Sequence, residues 1–527
     1  MKHLFPSRET RGAFMELLGD VANDYYDWHE SCASAAGPPL AHEQDVEPVR
    51  ALVRGLSKRL ASESTPWPSP LYLAHMTADV PIAASLAYVC ALLYNPNNVT
   101  HEASPVTTGL EHEVGDDLCR LVGYDPARAW AHLASGGHAA NYEAIWLARN
   151  LRQLPLAAAA DPASRDLVAD VPPVRLANLP VTRILDIVDE LARRGTLDQV
   201  RRLAPKGGGA LVLAGNAHYA WDKCADLLGF GGDDVETVPQ DEHHRIDLSV
   251  LRRRVTDLIE RGRPIVAVVA TIGSTGEGSV DDLDGIMRLR AWCEERYGVS
   301  FYVHVDAAFG GYHRAICLDR DGTLLPYDGV AVKPHVYAAF RALPLADSVT
   351  VDPHKGGHAP YPAGGLVLRD RRAAAVIAGR SAYFAEGHGD RPPFGPYTLE
   401  GARPGAAAAA VWAAHRLIGL HADGYGRLLG GCLTTAQHLH RRFTAVDGLL
   451  SGYDPDLNIV NLTAEGAGPD AVTRLLDRIR ADAAASPATS LWVSANNRAV
   501  RLCVMKELDA RAIDHVCQAL RNSASVG

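Results

Sequence analysis

Basic residues are in deficit: 52 lysines and arginines stand against 62 acidic side chains, a formal net charge of −10. A chain with no electropositive footprint is not built for nucleic acid. Long apolar runs are missing as well. None approaches the ~20 residues needed to cross a bilayer, and the opening stretch MKHLFPSRETRGAFMELLGD lacks the apolar core of a secretory signal. The 9 cysteines are odd in number and unpaired in spacing, which argues against a disulfide framework or a zinc site. They are expected as small buried hydrophobes of a cytoplasmic protein. There is also no H-E-x-x-H, no P-loop, and no G-x-G-x-x-G after a strand, so metal-dependent hydrolysis and nucleotide binding lose their usual signatures.

What is present is a chain of 527 residues, 47% hydrophobic and 22% charged, ample for a large core and more than one domain. Its middle alternates strand and helix patterns. Pro264–Ala270 is a continuous apolar run of the kind buried on both faces of a parallel sheet. It leads into a glycine- and hydroxyl-rich loop containing Thr275, then into a helix over 281–297 and a further strand over 301–305. That order predicts an α/β fold with a mostly parallel sheet and helices on both faces. Residues 155–181 show little periodicity and read as a surface excursion without chemistry. Beyond about Gly430, strand patterns at 457–462 and 500–505 alternate with amphipathic helices at 470–483 and 510–520, which predicts a small C-terminal α+β domain.

Two strand ends carry the candidate chemistry. Ser348–Val351 is a β-branched run stopped by Asp352-Pro353-His354-Lys355-Gly356-Gly357. Open α/β sheets bind ligands outside the carboxyl ends of their strands, where Lys355 falls. Partial desolvation there is expected to weaken its preference for the charged form, freeing the amine as a nucleophile. The second strand ends in His304-Val305-Asp306-Ala307-Ala308. A carboxylate at one strand end and an amine at another are what pyridoxal phosphate (PLP) requires, one for its pyridinium nitrogen and one for its aldehyde. Upstream, Ser135-Gly136-Gly137-His138 precedes a strong helix over 141–150. Two glycines at a helix N-terminus let the backbone approach a phosphate.

Together, HVDAAFGGY and DPHKGG resemble the group II PLP-dependent amino-acid decarboxylases, which have the aspartate-aminotransferase fold (PLP fold type I). Within that group the closest resemblance is to the bacterial tyrosine decarboxylases, and it runs from about Pro66 to the C-terminal domain. It implies Lys355 as the cofactor-bearing amine, Asp306 as the partner of the ring nitrogen, and His218 stacked on one ring face with Ala308 against the other. Gly136, Gly137 and His138 would cradle the phosphate, Thr275 would reach the ring substituents or the substrate carboxylate, and His354 would adjoin the cofactor. His75 and Thr77, in the HMT segment, would line the substrate end. Tyr383, on the 380–397 loop, would protonate Cα after carbon dioxide leaves, with Tyr397 next to be considered. The resemblance further implies a homodimer with shared sites. Residues 1–105 would form a dimerisation arm and substrate-lining segment, 106–405 the PLP domain, and 406–527 a linking helix with the small domain.

The expected reaction is decarboxylation of an aromatic L-amino acid, L-tyrosine to tyramine above others, with no metal. Glutamate decarboxylase and aldehyde synthase chemistry on the same scaffold remain open alternatives, as does a binding protein that has lost catalysis.

Overall fold

The computed structural model describes residues 4–36, 46–205, 207–379, 391–444, 450–463, 469–486, 490–496 and 499–525. Seven strands form the central sheet: β1 (Trp130–Ala134), β2 (Ala210–Ala214), β3 (Val235–Val238), β4 (Ile265–Thr271), β5 (Tyr302–Asp306), β6 (Ser348–Val351) and β7 (Gly364–Leu368). Their order is β1-β7-β6-β5-β4-β2-β3. Every neighbouring pair is parallel except the two made by β7, which runs against β1 and β6. All the others therefore end at the same edge of the sheet, and that edge is where the motif residues gather.

All seven positions of β4 are buried, as its unbroken apolar run predicts. Alternate side chains serve opposite layers. Val268 and Ala270 join the cluster containing Val303, Val305 and Val349, while Val266 and Val269 join the one containing Leu211, Leu213 and Leu366. Helices cover both faces, as expected of a doubly wound sheet. Helices α1 (Arg11–Ala36), α2 (Glu47–Glu63), α3 (Ile82–Leu93), α4 (Pro105–Val122) and α5 (Gly137–Ala160) open the chain. Val114, Leu118 and Leu121 of α4 fill the first layer; Ala144, Leu147 and Leu151 of α5 fill the second.

The second sheet, in the order β10-β11-β9-β8, contains β8 (Leu450–Ser451), β9 (Ile459–Thr463), β10 (Ser494–Asn496) and β11 (Ala499–Cys503). Helices Pro469–Ala485 and Ala510–Ser525 pack on it. The segment around Tyr72 is tied to this sheet: Leu73 N–H donates to the Trp492 carbonyl, and Cys503 N–H donates to the Leu73 carbonyl. One further anchor is Asp456, whose fully buried carboxylate meets Arg245 at 3.1 Å, His335 at 2.9 Å and Lys333 at 3.3 Å.

Residues 155–181 differ from the expected surface excursion. Helix α5 continues through Pro155 to Ala160, and two short 3-10 turns follow at Arg165–Val168 and Pro173–Asn178. Asn178 is buried; its side chain accepts from the Ile265 N–H and its carbonyl from the Ser300 N–H. The segment caps the entry of β4, a long-range role that leaves no periodic trace in the chain.

Candidate active site

Five strand ends converge on one cleft. Gly137, His138 and Asn141 border it from the start of α5, His218 from the turn after β2, Thr275 from the loop after β4, and Asp306, Ala308 and Lys355 from β5 and β6. Asp306 is 8% exposed. Its Oδ2 accepts from Asn141 Nδ2 at 2.8 Å and its Oδ1 from the Ala308 N–H at 3.2 Å. Burial raises its pKa above the usual carboxylate value, and the Lys355 charge with these two donors offsets only part of that. Such a carboxylate gains most from a cation placed directly against it.

Lys355 Nζ lies 2.9 Å from Asp352 Oδ2. His354 Nε2 is 3.5 Å from the same oxygen. Burial alone would lower the lysine pKa, as the sequence suggests, but the Asp352 carboxylate, reinforced by Asp306, outweighs it and the pKa is raised. The expectation of a weakly basic amine is corrected on this point: a neighbouring charge dominates over desolvation. Asp352 in turn is held down to about 2, its burial overcome by Lys355 and His354. Neither of its oxygens receives a well-aligned hydrogen bond, so the pair is held mainly by charge.

Two histidines form one wall. The rings of His138 and His218 meet edge to face with centroids 4.7 Å apart. Burial, followed by the nearby His138 and Lys355, pushes His218 down to about 4, so it is neutral at physiological pH. Its Nδ1 accepts from the Ala220 N–H, and its ring lies 4.3 Å from that of Tyr219, centroid to centroid. His354 stands one layer behind; its ring stacks on Tyr361 with centroids 4.2 Å apart, and its Nδ1 accepts from the Ala363 N–H.

The glycines are required by close approach. A Cβ on Gly137 would stand 2.9 Å from Asp352 Oδ2 and 3.0 Å from Ala308 Cβ. At Gly273, φ is +89° and a Cβ would lie 2.9 Å from the Phe309 ring. The first of these brings the N-terminus of α5, a long helix with free N–H groups at its head, against the cleft floor, the arrangement that binds phosphate.

His75 and Thr77 do not border this cleft. They lie in the bend and loop that follow Leu73, with the exposed His75 ring 6.3 Å from that of Tyr72. Tyr383 lies outside the described residues. Tyr397 packs edge-on against Trp130. Asp352, Asn141 and Tyr361 were not singled out from the sequence. Asp352 lies within the DPHK motif itself, whereas Asn141 and Tyr361 gain meaning only from contacts across the fold.

The described residues thus bring together an amine, a buried carboxylate, two ring walls and a helix N-terminus. That set fits PLP: aldehyde, pyridinium nitrogen, ring faces and phosphate each have a matching group. Comparison with known proteins agrees. Residues 209–447 match the pyridoxal-dependent decarboxylase conserved domain. The L-tyrosine decarboxylase of Levilactobacillus brevis is 35% identical over 501 residues, 88% of this chain and 79% of that protein. The chain belongs to the pyridoxal-dependent decarboxylase family. The L-tyrosine decarboxylase of Enterococcus faecalis is 34% identical, over 88% of this chain and 80% of its own. Among solved structures, Catharanthus roseus tryptophan decarboxylase superposes with a TM-score of 0.66 at 15% identity, covering 98% of each chain. Oryza sativa TDC with PLP and tryptamine gives a TM-score of 0.68 at 17% identity, again covering 98% of each chain. At these identities the solved structures establish the shared fold.

As a member of this family the chain is a PLP-dependent amino-acid decarboxylase. Among the described residues, no helix is long and apolar enough to cross a membrane.

Proposed function

We propose that this decarboxylase converts L-tyrosine to tyramine and carbon dioxide. The observation that carries the substrate is the 34–35% identity to bacterial L-tyrosine decarboxylases, sustained over 88% of the chain. PLP supplies an electron sink for the pair left on Cα when carbon dioxide departs. The rest falls to the chain. Lys355 would be the amine that holds the cofactor and yields its place to the amino group of the substrate. Asp306 would keep the ring nitrogen protonated; burial raises its pKa, so a cation opposite it is a favourable partner. His218 and Ala308 confine the ring between them. Gly136, Gly137 and His138 orient the phosphate at the head of α5, and Thr275 faces the same cleft from the loop after β4. His354 supports this floor from behind. His75 and Thr77 are assigned to the substrate end, and Tyr383 to protonation at Cα.

The assembly we propose is a homodimer with shared sites, residues 1–105 forming the arm, 106–405 the PLP domain and 406–527 the linking helix and small domain. Support comes from α2, whose Val49, Leu52, Val53, Leu56 and Leu60 are between 56% and 74% exposed. A solvent-facing apolar stripe of that length is a cost in a monomer and an asset at an interface. We assign the enzyme to the cytoplasm, in keeping with nine cysteines that are all free.

The test is to incubate the purified protein with PLP and a panel of amino acids, then identify the products. Tyramine should form fastest, and borohydride reduction with peptide mapping should place the cofactor on Lys355. Faster turnover of glutamate or aspartate than of any aromatic amino acid would overturn the substrate assignment.

A further inference from the structure

Asp306 is one end of a chain of buried polar groups that reaches across three elements. Asn141, on the first turn of α5, donates from Nδ2 to Asp306 Oδ2 at 2.8 Å. Its Oδ1 lies 3.0 Å from His304 Nε2, and His304 Nδ1 lies 2.8 Å from Ser348 Oγ. Asn141 is 3% exposed, and His304 and Ser348 are fully buried on the adjacent strands β5 and β6. Their burial leaves each hydrogen to be accounted for within the chain.

The directions follow from what each atom can do. An amide oxygen only accepts, so His304 Nε2 carries the proton. Burial pushes His304 down to about 3, so its ring is neutral and its Nδ1 has a lone pair. That lone pair accepts from the Ser348 hydroxyl. The amide of Asn141 is then locked with its oxygen toward His304 and its N–H toward Asp306. Flipping the amide would set an oxygen against the carboxylate, acceptor against acceptor. Thr350 Oγ1, 3.5 Å from His304 Nε2, is a second and longer contact of the same ring nitrogen. The relay Ser348 → His304 → Asn141 → Asp306 therefore runs toward the carboxylate.

We infer that Asn141 is a positioning residue that holds Asp306 ionised and aimed at the pyridine nitrogen of the cofactor, with His304 and Ser348 fixing its orientation. The inference rests on the assignment of Asp306 proposed above. Burial favours the neutral acid at Asp306, and the other charges facing it are Lys355 and Asp352. Lys355 would no longer be a free ammonium once it held the cofactor, whereas the Asn141 donor and the Ala308 N–H favour the carboxylate in either state. Without the Asn141 donor, Asp306 would be a weaker partner for a protonated ring nitrogen.

The experiment loads the full chain with PLP labelled with nitrogen-15 in the ring and follows the ring-nitrogen chemical shift against pH. Wild type should hold the ring nitrogen protonated across the neutral range. Asn141→Leu is close in size and removes both ends of the relay. Its ring nitrogen should deprotonate about one to two pH units lower, the equivalent of one charge-assisted hydrogen bond, and PLP affinity should fall with it. Ser348→Ala leaves every contact of Asp306 in place, releases the His304 tautomer, and should shift the titration in the same direction by a smaller amount. Asp306→Asn separates the two levels of the argument. Should that variant keep a protonated ring nitrogen, the assignment of Asp306 itself is wrong. Should it lose the proton while Asn141→Leu titrates like wild type, the assignment stands and the relay is refuted. If Asn141→Leu does not fold, a wild-type titration in Ser348→Ala refutes it equally.

Discussion

Replacing Asp352 by asparagine removes one negative charge from beside Lys355 and leaves the side-chain volume almost unchanged. The consequence can be worked through from the geometry. At 2.9 Å, the Nζ–Oδ2 separation, two unit charges in an effective dielectric of about 20 attract by ~6 kcal/mol. Water in the cleft and the second carboxylate at Asp306 reduce the part that is lost, and one opposite charge at this range typically moves a pKa by about one to three units. The raised pKa of Lys355 depends on that charge. In the cofactor-free protein at neutral pH the amine is therefore protonated, and only its small free-base fraction can attack the cofactor aldehyde. That fraction grows tenfold per pH unit until the pKa is reached. With Asp352→Asn the pKa drops, so at fixed neutral pH PLP should be captured ~10- to 10³-fold faster, and the rate should level off at lower pH than in wild type. Stopped-flow mixing of cofactor-free protein with PLP, read by the growth of visible absorption from pH 6 to about 10, a range set by the ordinary lysine pKa, measures both effects. Superimposable rate–pH profiles for the two proteins would show that Asp352 does not govern the basicity of Lys355.

Other substitutions probe separate features. Asp456→Asn strips the buried anion from Arg245, His335 and Lys333 and should cost about 3–5 kcal/mol in chemical denaturation; a loss below ~1 kcal/mol would mean that the cluster behaves like an exposed ion pair. Gly137→Val places methyl groups where even a Cβ would be 2.9 Å from Asp352 Oδ2. It should weaken PLP binding ~10- to 100-fold, from about 1–3 kcal/mol of overpacking, and unchanged affinity would place the phosphate elsewhere. The pair Leu52→Asp and Leu56→Asp, on the exposed face of α2, should yield an inactive monomer by light scattering; an intact, active dimer would remove α2 from the interface. Tyr383→Phe should turn the product from tyramine toward the aldehyde, with oxygen consumed and ammonia released, because a positioned general acid contributes ~10²–10⁴-fold; tyramine at the wild-type rate would exclude Tyr383 as the proton donor.

The parts of the fold that were legible in the sequence are those carried by local pattern. The run over 264–270 announces a strand buried on both faces, and β4 is one. The helix expected at 510–520 is found at Ala510–Ser525. Lys355 and Asp306 were recognisable because each ends a strand within a short motif, and the structure brings both to one cleft. What escaped detection depends on separation along the chain. His304 and Asn141 are 163 residues apart, and no periodicity relates them. Residues 155–181 lack pattern because they serve the sheet through single groups, the Asn178 side chain at Ile265 and its carbonyl at Ser300. The sign of the Lys355 shift was misjudged for a similar reason. Burial can be inferred from a neighbouring apolar run, but the direction in which an aspartate three residues away points cannot.

The reversed strand β7 braces the cleft. It returns alongside β6 with Val351 opposite Gly365, and alongside β1 with Ala134 opposite Gly364. The Lys355 loop is thus clamped at both ends by the sheet, and the same strand presses Gly364 against Gly136 at the head of α5. Lys355, Asp306 and the head of α5 are thus braced by one sheet, whereas the segment from Leu73 to Asp79 touches two bodies: Leu73 bonds to the small sheet, and the Asp79 carbonyl meets His358 Nδ1 at 2.9 Å in the Lys355 loop. That segment is a strut, through which a displacement of the small sheet reaches the loop that carries Lys355.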